Sequence, residues 1–136
     1  MINVTKLLII CSLLAIIGCQ KKEPPSPAFN IRGIKTSIAK IQISPLAFDG
    51  AQVVVLGFVK EIKNSESQHE KNLLILTDDY GNSINVESEE VLDFEENDIL
   101  VVGGKYRKNS NLIISDEIVN VIIDKEGIRP SNDLEK

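Results

Sequence analysis

The sequence predicts a small all-β domain of five strands with one short helix. Three observations predict it. Val, Ile and Leu gather in runs of strand length through the middle of the chain, and these residues favour strands. Clusters of Asp, Asn, Ser and Gly separate the runs, as turns require. Trp is absent and aromatics are few, so the core must be aliphatic.

The chain of 136 residues has room for one domain and little else. It carries 15 basic and 20 acidic side chains, for a net charge of −5. Such a balance repels phosphate backbones unless the positive charges cluster. The densest basic run in the folded part is Lys105-Tyr106-Arg107-Lys108.

The first residues read as an export leader. Lys6 supplies a positive start, and Leu7 through Ile17 is almost wholly apolar, broken only by Cys11 and Ser12. That run suits a signal segment and is too short to span a membrane as a helix. The tetrad Ile16-Ile17-Gly18-Cys19 resembles the lipobox of bacterial lipoproteins. The resemblance implies cleavage before Cys19 and acylation of its thiol and new amino group, with palmitate among the chains. Two or more chains make such an anchor stable. Gln20 in the position after the Cys implies that the outer membrane is permitted. Cys11 leaves with the leader, so no intramolecular disulfide is expected. Residues 20–28, Q-K-K-E-P-P-S-P-A, read as a solvated tether with polyproline character.

Folding signals begin near Ile31. A short helix is expected over Thr36–Ile41, capped by Thr36 or Ser37. Pro45 and Asp49-Gly50 end that region. Gln52–Ile62 is the clearest strand, and Gly57 inside it suggests a bulge or bend. Asn64–Asn72 is a polar loop. Leu73–Thr77 and Ser83–Val86 make a hairpin about the turn Asp78–Asn82, with Gly81 or Asn82 able to take positive φ. Glu87–Asp98 is acidic and is expected to form one or two helical turns that close the barrel. Ile99–Tyr106 is the fourth strand. Leu112–Ile114 and Ile118–Ile123 form the fifth, kinked at Ser115-Asp116. From Lys125 onward a frayed tail is expected.

Five strands with a bent first strand and a link between strands three and four fit a Greek-key barrel of the OB (oligonucleotide/oligosaccharide-binding) type. Val53, Val55, Gly57 and Val59 resemble the opening strand of the tRNA-anticodon-like OB family. So do Leu74, Leu76, Asp78 and Gly81 in the hairpin, and Asp98, Leu100, Val102 and Gly104 in the fourth strand. The resemblance covers about Gln52 to Val121 and speaks to fold more than to function. The expected organisation is therefore a signal peptide (1–18), a lipidated Cys with its tether (19–30), an OB-like barrel (31–124) and a disordered tail (125–136).

No catalytic constellation is expected. His69 is the only His and lies in a polar loop beside Ser65, Ser67 and Glu70, without an oriented partner. One His and one lipidated Cys leave zinc poorly served. The acidic stretch from Glu87 to Asp98 lacks the order of a calcium loop and reads as a solvated face. Periplasmic haem chaperones share the OB barrel, but nothing after Ile123 matches their haem-attaching His. The chain is thus expected to be no enzyme and to need no cofactor.

The expected function is a non-catalytic envelope module, anchored at the cell membrane or outer membrane on its extracytoplasmic side. Its partners would be the lipid bilayer, through acylated Cys19, and an envelope protein, glycan or small ligand. One alternative is a peripheral subunit of an envelope complex. Another is single-stranded nucleic-acid binding, disfavoured by the acidic balance. Candidate binding residues are Lys60, Tyr80, Lys105, Tyr106 and Arg107, beside the face of strands two and three and the loops Asn64–Asn72 and Arg107–Asn111.

Overall fold

Residues 30–134 are described by the computed structural model. The leader, Cys19 and the tether lie outside the described residues. The aliphatic runs become strands that close on one another. In chain order the elements are β1 (Ile34–Lys35), α1 (Ile38–Ile43), α2 (Pro45–Phe48), β2 (Gln52–Lys63), β3 (Asn72–Thr77), β4 (Ser83–Ser88), β5 (Ile99–Arg107), β6 (Leu112–Asp124) and β7 (Gly127–Pro130). Single 3₁₀ turns follow β5 at Lys108–Ser110 and β7 at Ser131–Leu134.

Strands β2, β3, β4, β6 and β5 form a ring, because β5 pairs back onto β2. The β4–β6 pair is parallel and the other four junctions are antiparallel. This is the five-stranded Greek-key barrel of the OB fold. β2 closes it by serving two neighbours: Gln52–Phe58 pairs with β5 and Phe58–Lys63 with β3.

The bulge in β2 falls between Val59 and Glu61, not at Gly57. Gly57 does a different job. A Cβ there would sit 2.7 Å from Leu76 Cγ and 2.8 Å from the Thr77 carbonyl oxygen. The strand is a glycine there because β3 crosses too close for a side chain. In β6 the register slips opposite Gly103 and Gly104, leaving Asp116 as the extra residue, so the expected kink is present inside one continuous strand.

Alternation decides what each strand buries. Val53, Val55, Val59, Leu74, Leu76, Ile84, Val86, Leu100, Val102 and Ile113 point inward and are almost wholly buried. Each contributes roughly 1.5–3 kcal/mol of burial. Ile38 and Ile41 of α1 join this core, and the helix is capped by Ser37, whose Oγ accepts from Lys40 N at 3.2 Å. The opposite parity is buried too. Val54, Val101 and Val121 pack outside the barrel with Ile31, Leu56, Ile99, Val119 and Ile128. This second cluster explains the uninterrupted Val runs of β2 and β5, which would read as alternating if one face met water.

Two expectations are corrected here. Residues 89–98 are irregular and form no helix. Helical spacing would stack Glu89 on Asp93, a like-charge pair. The segment is instead held residue by residue. Asn64 donates from Nδ2 to the Leu92 carbonyl (2.9 Å) and accepts from Leu92 N at Oδ1 (3.0 Å). Buried Asn72 accepts from Ser65 N and donates to the Glu90 carbonyl, both at 2.9 Å. These bonds place Leu92 and Phe94 against the core. The second correction is the tail. β7 pairs with β6 over Val121–Asp124, turning at Gly127 with φ +116°. Ile128 reaches the outer cluster, and Arg129 pairs with Asp124.

Asn64→Ala should leave both backbone groups of Leu92 without partners and cost about 1–3 kcal/mol. Urea unfolding should show a lower midpoint with an unchanged slope.

Candidate functional site

Residues with parity opposite to the core form the outer face of β3 and β4. Register sets its rows. Lys63 lies beside Leu73, Leu73 beside Glu87, Glu87 beside Ile114, and Ile114 beside Lys105. The next row runs Glu61, Ile75, Asn85, Leu112, Arg107. Leu73 and Ile114 are 42% and 40% exposed, which is unusual for aliphatic strand residues in a small barrel. The face carries two aliphatic pairs, Leu73 with Ile75 on β3 and Leu112 with Ile114 on β6, divided by Asn85 and Glu87 of β4, between two margins that carry cations: Lys60 and Lys63 on β2, Lys105 and Arg107 on β5. All four are exposed. Lys63 pairs with Glu61 at 3.2 Å, but both side chains are largely in solvent, so this pair holds Lys63 weakly.

The β3–β4 turn projects at one end of this face. Asp78 builds it: Oδ1 accepts from Tyr80 N and Asn82 N at 2.9 Å each, and Oδ2 accepts from Asn82 Nδ2 at 2.8 Å. Gly81 takes φ +84°, as the sequence predicts for this turn. The construction leaves Tyr80 outside, 90% exposed, with its ring in solvent. Asn111 ties the β5–β6 turn to the same end by donating to the Ser83 carbonyl at 3.0 Å. The turn at Lys108 is held in turn by α2's flank, where Asp49 accepts from Lys108 N at 3.0 Å.

The structure therefore brings Tyr80 and Arg107 toward one end, sets Lys105 one row farther along the face in the row of Glu87 and Lys63, and places Lys60 in the β2 bulge. Tyr106 is corrected. It is 1% exposed and belongs to the barrel core. Its hydroxyl reaches Asn111 Oδ1 at 3.4 Å, and burial, with the Asp49 carboxylate near, pushes its pKa up. It shares parity with Leu100 and Val102, which is the signal that would have placed it inside. The same parity argument, applied to Leu74, Leu76 and Ile84, finds the surface residues that motif reading passes over: Leu73, Ile75 and Asn85. His69 is exposed in the 64–71 loop.

A second feature opens beside this face. The β4–β6 pairing lasts only from Asn85–Leu112 to Glu87–Ile114. Beyond it the bulge carries β6 away, and a groove of about 500 Å³ separates residues 87–94 from residues 114–118. Leu92, Phe94 and Ile118 line its floor, and Glu87, Glu89, Glu90, Asp116 and Glu117 its walls.

No family model and no curated protein matches this chain. Solved structures do. The telomere capping protein Ten1 from Saccharomyces pombe is similar with a TM-score of 0.52 and 20% identity, over 67% of this chain and 83% of that one. A structure of yeast Stn1 and Ten1 is similar with a TM-score of 0.51 and 13% identity, over 67% of this chain and 64% of that one. At these identities the likeness shows the OB fold. It also corrects the expectation of a membrane-anchored envelope module. The expected bilayer partner and membrane location find no counterpart in these neighbours, the first of which is named for telomere capping.

Asp78 supplies a test of the turn that presents Tyr80. Its burial opposes ionisation, but hydrogen bonds from the Asn82 side chain and from the Asn82 and Tyr80 backbones outweigh this and hold its pKa below the ordinary 3.8. A depressed folded pKa stabilises the fold above the unfolded value, and this contribution is lost as pH falls through the folded value. The gap in urea midpoint between the unmodified chain and Asp78→Ala should therefore be widest above about pH 4 and narrow steadily below it.

Proposed function

We propose that this domain binds single-stranded nucleic acid across the outer face of β3 and β4, and that it does so without catalysing a reaction. The observation that carries the reading is the pair of cationic margins bracketing the aliphatic side chains of β3 and β6, with Tyr80 exposed at the rim. The face is the one OB barrels use for oligonucleotides. Its rows run around the barrel wall from β2 to β5 over four strand spacings, a path of about 19 Å along the surface. A strand laid across that span meets Lys60 or Lys63 at one margin and Lys105, Arg107 and Lys108 at the other. Its bases face Ile75, Leu112 and the Tyr80 ring, and stacking on an aromatic ring is tolerant of sequence. The resemblance of the fold to a telomere capping protein supports the same reading.

The net negative charge shapes this activity. Binding depends on local cations acting within a Debye length, about 8 Å at physiological ionic strength. Affinity should thus be modest and steeply dependent on salt. Glu87, in the row that joins Lys63 to Lys105, and the acidic groove beside it repel phosphate, so the strand is held toward the row of Ile75, Asn85 and Arg107 on the Tyr80 side.

Fluorescence anisotropy with a labelled oligothymidylate tests the proposal. At low salt the full chain should bind the single strand in preference to a duplex of the same length. Lys105→Glu and Arg107→Glu should each weaken binding by about tenfold and lower the steepness of the salt dependence by about 0.7 for each phosphate left without its cation. Tyr80→Ala should weaken it by about fivefold or more, the value of one stacked base. Binding indifferent to both charge reversals would overturn this placement, and no binding at about 0.1 mM protein, weaker than ordinary non-specific association, would overturn the function.

A further inference from the structure

The groove between β4 and β6 is a break in the sheet. Within the ring, β6 is paired on one edge with β5 from Leu112 to Val121. Its other edge pairs with β4 only as far as Ile114, with Ser115 Oγ donating to the Glu87 carbonyl at 2.7 Å just beyond, and pairs with β7 only from Val121. Among the described residues, no strand pairs with that edge from Ser115 to Asn120. Exposed strand edges present rows of backbone donors and acceptors and accept an added strand readily. The edge is short, about 20 Å long, and the Asp116 bulge that opens it also protects it against pairing with a flat sheet.

We propose that this seam accepts an extended, cationic segment of a protein partner as an added strand. Three independent features specify the occupant. The unpaired edge asks for an extended backbone. The floor of Leu92, Phe94 and Ile118 asks for aliphatic side chains on one face of that strand. The acidic walls ask for Lys or Arg on the other. A strand presents alternate residues to opposite faces, so one peptide of alternating aliphatic and basic residues satisfies all three. Val91, 76% exposed at the rim, adds apolar surface where such a strand would enter. The charge of the walls excludes nucleic acid from the same seam. The site adjoins the face proposed above and shares Glu87 and Ile114 with it, but its test is read with a peptide and needs no nucleic acid.

The probe is a blocked heptapeptide of alternating Lys and Val, titrated into the ¹⁵N-labelled full chain. Amide shifts should concentrate at Ser115–Asn120 and Glu87–Leu92. A peptide of equal charge whose Lys and Val backbone nitrogens are all methylated cannot donate to the edge in either direction, and it should bind about tenfold more weakly for the loss of its backbone bonds. Glu117→Lys should weaken the unmodified peptide by a similar factor. Tyr80→Ala, which removes no charge and lies at the far end of the nucleic-acid face, should leave peptide binding unchanged, which separates this site from that face. Equal affinity for the methylated peptide would reduce the effect to charge attraction and overturn the proposal. So would shifts confined to β3, or no shift at millimolar peptide.

Discussion

The rest of the molecule depends on β2 having two partners. One strand of twelve residues pairs with β5 along its first half and β3 along its second. No flat strand can do this. The turn from one partner to the other requires the close crossing at Gly57, where Leu76 and the Thr77 carbonyl fill the place of a side chain, and the bulge between Val59 and Glu61. Once β2 coils in this way, the ring closes and its interior is sealed along the strands. The remaining problem is at the two ends. α1 closes one with Ile38 and Ile41. The irregular segment after β4 closes the other with Leu92 and Phe94.

The second closure differs in kind from the first. A capped helix satisfies its own backbone, but an irregular segment over a core must find a partner for each buried polar group. Asn64 and Asn72 supply those partners, Asn64 as the first residue of the 64–71 loop and Asn72 as the first of β3. The plug therefore sits where the asparagines hold it, beside the end of β4. β6 is diverted by its own bulge at Asp116. Between the two, the sheet separates and the groove forms. The seam follows from how the barrel is closed, and needs no further device.

Most of the barrel was legible in the sequence because strands announce themselves by length and β-branching. Gln52–Ile62, the hairpin about Asp78–Asn82, Ser37 as a cap and the kink near Asp116 all stand where local chemistry put them. The failures share one cause: each depended on a contact between segments distant in the chain. Residues 89–98 carry the composition of a short helix, and only Asn64, 28 positions from its partner Leu92, shows why they form none. Residues 127–130 hold one strong apolar residue, Ile128, too little to announce a strand. β7 exists because the outer cluster of Val121 and its neighbours needed covering. Gly57 showed a special position, but its reason lies in β3. Tyr106 is the exception, because its parity with Val102 was visible locally. A basic run on either side drew attention to the surface, although alternation turns Lys105 and Arg107 outward and Tyr106 inward.

The site was harder to read because charge in this chain is divided by place and not by sequence. Summed along the chain, the excess of acid disfavours nucleic acid. On the folded barrel much of that acid gathers at one seam, from Glu87 to Glu90 and at Asp116 and Glu117. The cations lie on the margins of the neighbouring face, brought from β2 and β5 by registers that no local pattern encodes. Screening makes the difference consequential. Over a Debye length of about 8 Å, each margin is felt largely for itself, and the net charge of the whole chain is a poor guide to either surface. Two surfaces of opposite sign on one small barrel suit two partners of opposite charge. Glu87 stands in both, on the outer row beside Leu73 and on the wall of the groove. A cationic strand in the seam would neutralise the carboxylate that most repels a phosphate backbone from the adjoining face. Occupancy of one surface would then favour occupancy of the other, and the coupling would be reciprocal.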